Sequence, residues 1–236
     1  MKKKYLKLCI LILSIPTIYF IYQTNNTHDI IYLPLGDTFF ITENKSYHDF
    51  ITDYLRKNQQ LNFSTKNFLY RNQLIRDIYK DIEENKIIQI DGKNMNIRHL
   101  LRDASFLTLS VGINDLNQHL HNDANLTLSK RKNIINKIED ELQKTIHQIN
   151  KYYQGDIYLI GYYDVFINDS IRSLMIQKLN IMLKEFSKIN QLIFIDISDL
   201  FVKDSPLLKE GDYLLPNERG HQAIFQRIMN EYKKKR

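Results

Sequence analysis

The chain has 236 residues, enough for one well-buried α/β domain and too few for two of ordinary size. Its formal charge of +6 sits at the ends: Lys2, Lys3, Lys4 and Lys7 open it and Lys233, Lys234, Lys235 and Arg236 close it, and without these eight the remaining 25 basic residues face 27 acidic ones. A body so close to neutral argues against nucleic acid as a partner, and a single cysteine, Cys9, excludes an internal disulfide and a thiolate metal cluster.

Leu8 to Tyr22 is apolar apart from Ser14 and Thr17, and with Tyr5 and Leu6 it approaches the roughly 17–25 residues that a spanning helix needs. Lysines precede the run and none follows it directly. That asymmetry predicts a transmembrane helix over 1–22 with a cytoplasmic N-terminus and an extracellular C-terminal domain, in contact with the membrane lipid bilayer. No small-residue cleavage site is present, so the segment reads as an uncleaved signal-anchor. Cys9 comes too early in the run for a lipoprotein cysteine. The rival reading of 1–22 is a buried N-terminal helix. A polar linker, 23–28, leads to a domain over 29–236.

From Asp29 apolar strands alternate with amphipathic helices, the pattern of a parallel sheet covered on both faces. The first strand runs into a tight turn at Gly36-Asp37-Thr38. Tyr47 to Leu55 follows as a helix with Tyr47, Phe50, Ile51 and Tyr54 on one face. Leu61 to Leu69 is the second strand, Leu74 to Glu84 a helix, and Ile87 to Asn96 holds a turn at Asp91-Gly92. A short helix over Ile97 to Arg102 leads into the third strand, Phe106 to Val111, which stops at Gly112. Asn114 and Asp115 stand where a helix starts. A long helix over Ser129 to Tyr153 repeats Ile134, Ile138, Leu142, Ile146 and Ile149 at three and four residues, a core stripe. Asp156 to Gly161 is the fourth strand, Ile171 to Ile189 a helix, Leu192 to Ile197 the fifth strand and Asn217 to Tyr232 the closing helix.

Three stretches in order carry a resemblance: IIYLPLGDTFF ending in Gly36-Asp37-Thr38, ASFLTLSVGINDL with Gly112 and Asn114, and GDYLLPNERGH from Gly211 to His221. They are similar to the first, third and fifth blocks of the SGNH (GDSL-type) hydrolases, serine esterases and lipases, and most of all to the membrane-tethered branch of Gram-positive bacteria. The resemblance implies a three-layer α/β/α sandwich around a five-stranded parallel, flavodoxin-like sheet, with a site at the carboxyl edge of the strands. It implies acyl transfer without a cofactor, on acylated lipid or cell-wall glycan.

The blocks depart from the family at two positions. Thr38 stands where the family has its serine nucleophile, and Leu215 stands where it has its histidine. Asp212 matches the aspartate that orients that histidine, and Asp37 the aspartate that supports the first turn. Asn72 takes the place of an oxyanion glycine, while Gly112 and Asn114 match the third-block oxyanion donors. Threonine retains a hydroxyl, but its methyl group restricts χ1 and crowds a carbonyl's approach; its other role is to satisfy backbone groups in the turn. An aliphatic Leu215 accepts no proton, and losing such a base costs about four to six orders of magnitude in turnover. His119, His121 and His221 are the candidate substitute bases, provided that one reaches about 2.6–3.2 Å from the hydroxyl. His119-Leu120-His121 lacks the third and fourth ligands that a zinc site wants. Two functions remain: an esterase scaffold whose site binds acyl or glycan groups with impaired turnover, or an active ester hydrolase using Thr38 with a relocated histidine.

Overall fold

The computed structural model describes residues 30–37, 45–120, 126–164, 169–201, 205–209 and 212–235. The expected membrane helix over 1–22 and the linker over 23–28 lie outside them. Among the described residues no helix is long and apolar enough to cross a membrane.

The most apolar segments line up side by side. β1 (Ile30–Asp37) has β2 (Leu61–Ser64) and then β3 (Leu69–Tyr70) along one side; β6 (Phe106–Ser110), β7 (Ile157–Ile160) and β8 (Ile193–Ile195) follow on the other. Every pairing in this sheet is parallel. Every residue of β6 and β7 is buried, as expected of strands covered on both faces, which read as continuous apolar runs rather than alternating ones. The spatial order β2-β1-β6-β7-β8 reverses direction beside β1, which places a crevice at the carboxyl ends of β1 and β6.

The helices form two groups. α1 (Tyr47–Lys57) packs on α7 (Glu218–Lys234), while α2 (Ile75–Glu83), α5 (Leu128–Asn150) and α6 (Ser170–Ile189) pack in a row. α3 (Ile97–Asp103) precedes β6 and α4 (Ile113–Leu120) follows it. The expected stripe on α5 is the core: Ile134, Ile138, Leu142, Ile146 and Ile149 are all buried. An aromatic seam joins the sheet to α7, with Phe106 stacked 4.5 Å from Tyr232 and 5.0 Å from both Tyr32 and Tyr158.

Two expectations need correction. The second strand does not run unbroken from Leu61 to Leu69: the Thr65 hydroxyl accepts from the Asn67 amide at 3.2 Å and Leu69 N donates to Lys66 O at 2.9 Å, so a side-chain turn interrupts the ladder and buries Phe68. The buried face of α1 is Tyr47, His48, Ile51 and Leu55, with Phe50 and Tyr54 at its margin, because Lys45 and Phe225 cover those two rings from outside. Two small antiparallel pairs complete the chain. β4 (Ile87–Ile90) and β5 (Lys93–Asn96) form the hairpin signalled by Asp91-Gly92, whose φ values of 49° and 75° suit a two-residue turn. β9 (Leu208–Lys209) and β10 (Asp212–Pro216) form a pair that the sequence did not announce.

Candidate active site

Three backbone corners meet at the carboxyl edge of the sheet. At the first, Gly36 has φ 126° and lies so close to β6 that a Cβ there would sit 1.9 Å from the Ser110 carbonyl oxygen. Only glycine fits such a contact. The Asp37 backbone pairs with Tyr70, which ties this corner to the next. Thr38 lies outside the described residues.

The second corner is the turn from Tyr70 to Gln73, closed by Gln73 N donating to Tyr70 O at 3.2 Å. Its third residue, Asn72, has φ 59° and is exposed. A turn with positive φ at that position takes glycine or asparagine, so Asn72 holds a glycine's conformation without being one. At the third corner Gly112 has φ 113° beneath Leu179 and Ile138. Beyond it Asn114 Nδ2 donates to Gln73 O at 3.0 Å, and the Asp115 carboxylate accepts from Ile75 N at 3.3 Å on each oxygen. Thus Gly36, Asp37, Asn72, Gly112 and Asn114, scattered over 79 residues of sequence, come together.

The C-terminal block is held by contacts of its own. Leu215 is half-buried in β10, and Asn217 caps α7 by accepting from Gly220 N at 3.0 Å while donating to Pro206 O and Leu208 O at 2.8 and 2.9 Å. Asp212 belongs to β10 through its backbone, opposite Lys209. Gly220 packs under Phe201, whose ring lies 4.1 Å from Tyr163 just past the end of β7. His221 follows in the first turn of α7, fully buried, its ring 6.4 Å from that of Tyr47 in the first turn of α1.

Burial sets the character of the ionisable groups. His221 is pushed down to about 4, chiefly by desolvation. His48 is pushed down to about 3 by burial and then by the Lys66 charge; its Nδ1 lies 2.9 Å from the Tyr32 hydroxyl, itself 2.9 Å from Thr108 Oγ1. The Tyr32 phenol is raised well above its ordinary range by burial. Asp115 is pushed up to about 7 by burial, against the Ile75 N–H that favours its charge and with the Glu141 carboxylate adding to the rise. His119 lies toward the end of α4 and lines a cavity of about 490 Å³ with Arg76, Asp115, Gln118 and Glu141. His121 lies outside the described residues. Among the described residues no three histidine, cysteine, aspartate or glutamate side chains are grouped to hold a metal ion.

The sequence did not single out Tyr32, His48 and Thr108, or the reach of Asp115 across to α2. A polar side chain inside an apolar run was the available signal for Tyr32 and Thr108; nothing local marks His48 or the reach of Asp115.

No curated protein is similar in sequence. Solved structures share the fold: a lipase, Lip_vut3, from goat rumen metagenome (TM-score 0.68, 16% identity, covering 85% of this chain and 96% of that one); a variant of the acetylxylan esterase Axe2 from Geobacillus stearothermophilus (TM-score 0.63, 12% identity, 86% and 93%); and a lipolytic G-D-S-L family member from Veillonella parvula (TM-score 0.59, 14% identity, 85% and 97%). The family model for GDSL-like lipases and acylhydrolases matches residues 32–228, which span most of β1, all three corners and most of α7, and the chain therefore belongs to the GDSL-like lipase/acylhydrolase family.

Proposed function

We propose that this protein is a membrane-anchored, extracytoplasmic member of the family that binds acyl or envelope-glycan groups at the carboxyl edge of its sheet and turns them over weakly or not at all. One feature of the chain supports the reading: in the stretch that resembles the family's last block, the aliphatic Leu215 stands where a histidine is expected, immediately before Pro216 and the capping Asn217. The nearest histidine in sequence, His221, is fully buried and lowered to about 4. An imidazole of that basicity is a poor proton acceptor for a hydroxyl nucleophile at neutral pH. Thr38 in place of serine adds a methyl group at the point of attack. The binding half of the site is supported by the three corners, where Asn72 and Asn114 lie together. Two similar structures are named acetylxylan esterases, and an O-acylated glycan is the ligand class we assign. Anchoring is supported by the lysines ahead of the apolar run before Tyr22.

The test uses the full-length chain in detergent with a fluorophosphonate probe and short-chain aryl esters. The expected result is no labelling of Thr38 and negligible turnover, with both appearing in the Thr38→Ser, Leu215→His double variant. Labelling of the unaltered chain at Thr38 that disappears in Thr38→Ala overturns the impaired reading and assigns an active hydrolase with a relocated base. Protease treatment of intact cells checks the topology: residues 29–236 are expected to be shaved from the outside.

A further inference from the structure

The turn that carries Asn72 makes few bonds of its own, yet the residues after it are held from outside at Gln73 and Ile75. Asn114 Nδ2 donates to Gln73 O at 3.0 Å. The Leu74 amide is taken locally by Asp77 at 2.9 Å. The next amide, Ile75 N, is the first of α2 and has no acceptor within its own helix; it is met by both oxygens of Asp115 at 3.3 Å, from 40 residues away. On the other side of the same residue Thr145 Oγ1 of α5, which donates to Glu141 O at 2.9 Å, lies 3.4 Å from Ile75 O. Upstream, Tyr70 is fixed by its pairing with Asp37 and by its hydroxyl, which donates to Asp81 at 2.6 Å.

Asn72 is therefore an exposed residue in a left-handed conformation between two anchored segments. Conformations that an L-residue rarely adopts persist where the surroundings over-determine them. We infer that Asp115 is a positioning residue: by clamping the first amide of α2 to the start of α4, it holds the Asn72 backbone N–H and the Asn114 side chain at one fixed separation across the site. Asp115 is only 6% exposed and both of its oxygens lie 3.3 Å from Ile75 N, so it acts through its neighbours rather than on a ligand at the corners. The separation of the two donors sets whether both reach one oxyanion, and a displacement of about 1 Å in such a pair costs about 100-fold in turnover.

The geometric part of this inference stands by itself; its catalytic consequence rests on the esterase-type reading above. The test compares Asp115→Leu, which removes the acceptor, with Asp115→Asn, which keeps an oxygen for Ile75 N. In the full chain with selectively 15N-labelled asparagine and isoleucine, the amide resonances of Asn72 and Ile75 are expected to move in Asp115→Leu and to stay in Asp115→Asn. Asp115→Glu, which carries the acceptor one methylene further out, serves if the leucine variant does not fold, and is expected to move both resonances. In the Thr38→Ser, Leu215→His background, Asp115→Leu is expected to lower kcat about 10- to 100-fold with KM unchanged, and Asp115→Asn to recover most of it. An Asn72 resonance that stays put when the carboxylate is removed or displaced overturns the inference whatever the turnover. Moved resonances with no hydrolysis in any restored chain leave the clamp standing and overturn the esterase-type reading instead.

Discussion

Replacing Gly36 by alanine is expected to bring the protein close to the limit of folding, and Gly92→Ala provides its control. Gly92 has φ 75° at the tip of the β4–β5 hairpin, with no atom within 4 Å of a Cβ placed there. Alanine at that position suffers only the left-handed backbone, about 1–2 kcal/mol. Gly36 has φ 126°, and its Cβ would meet three backbone atoms of Ser110: the oxygen at 1.9 Å, the carbon at 2.7 Å and the nitrogen at 2.8 Å. A carbon-to-oxygen contact relaxes only at about 3.3 Å or more, so β1 would have to leave β6 by roughly 1.4 Å at the pairing of Gly36 with Ser110. The ladder hydrogen bonds beside that pairing then fail inside a buried sheet, at about 1–3 kcal/mol for each group left unsatisfied. With the backbone strain the loss is about 4–6 kcal/mol, against a typical domain stability of about 5–15 kcal/mol. Urea unfolding of the full chain followed by far-ultraviolet circular dichroism reads both variants. A Gly36→Ala midpoint no lower than that of Gly92→Ala would refute the close approach of β1 to β6.

Acidification supplies a second expectation. Below about pH 6.5 the unfolded chain protonates both His48 and His221, whereas the native protein does so only near pH 3 and 4; these two groups therefore remove stability as pH falls. Asp115 works the other way, since native Asp115 takes up its proton near pH 7 and the unfolded residue only near 3.8. Two against one leaves a net loss of about 1.4 kcal/mol per pH unit between roughly 6.5 and 4, and Asp115→Asn is expected to steepen it to about 2.7. Urea midpoints at pH 7, 6 and 5 measure the slope, and stability that holds level or rises on acidification contradicts the burial of the two imidazoles. Asn217→Ala removes the cap of α7 and two donors to carbonyls, and is expected to cost about 2–3 kcal/mol; Asn217→Asp keeps the cap acceptor and is expected to cost about half as much. Equal unfolding midpoints for Asn217→Ala and the unaltered protein would remove Asn217 from the account.

What could be read in advance follows from how locally each feature is caused. The apolar runs over Ile30 to Leu35, Phe106 to Leu109 and Ile157 to Ile160 announce strands because a strand covered on both faces has no solvent side to alternate toward. Gly36 and Gly112 mark the ends of the first and third strands because their positive φ values are open to few other residues. Asn72 fits the second corner for the same reason. The break after Ser64 is also local in cause, a Thr65 hydroxyl taking the Asn67 amide, but that bond competes with a ladder whose partner strand the sequence does not name. His48 was hidden because a histidine on a helix face reads as polar until Tyr32 of another element meets it.

The amino-acid sequence by itself determined the alternation of strand and helix and the three corners in their order. Those depend on residues within a few positions of one another, through φ preference, apolar periodicity and the chemistry of single side chains. Only the tertiary structure decided that β1 lies between β2 and β6, that His221 is buried against Tyr47, and that Asp115 spans 40 residues to hold the first amide of α2. Contacts of that separation are selected by how the layers pack and by which buried polar groups then find partners. No local pattern encodes that choice, because the partner is a neighbour in space alone.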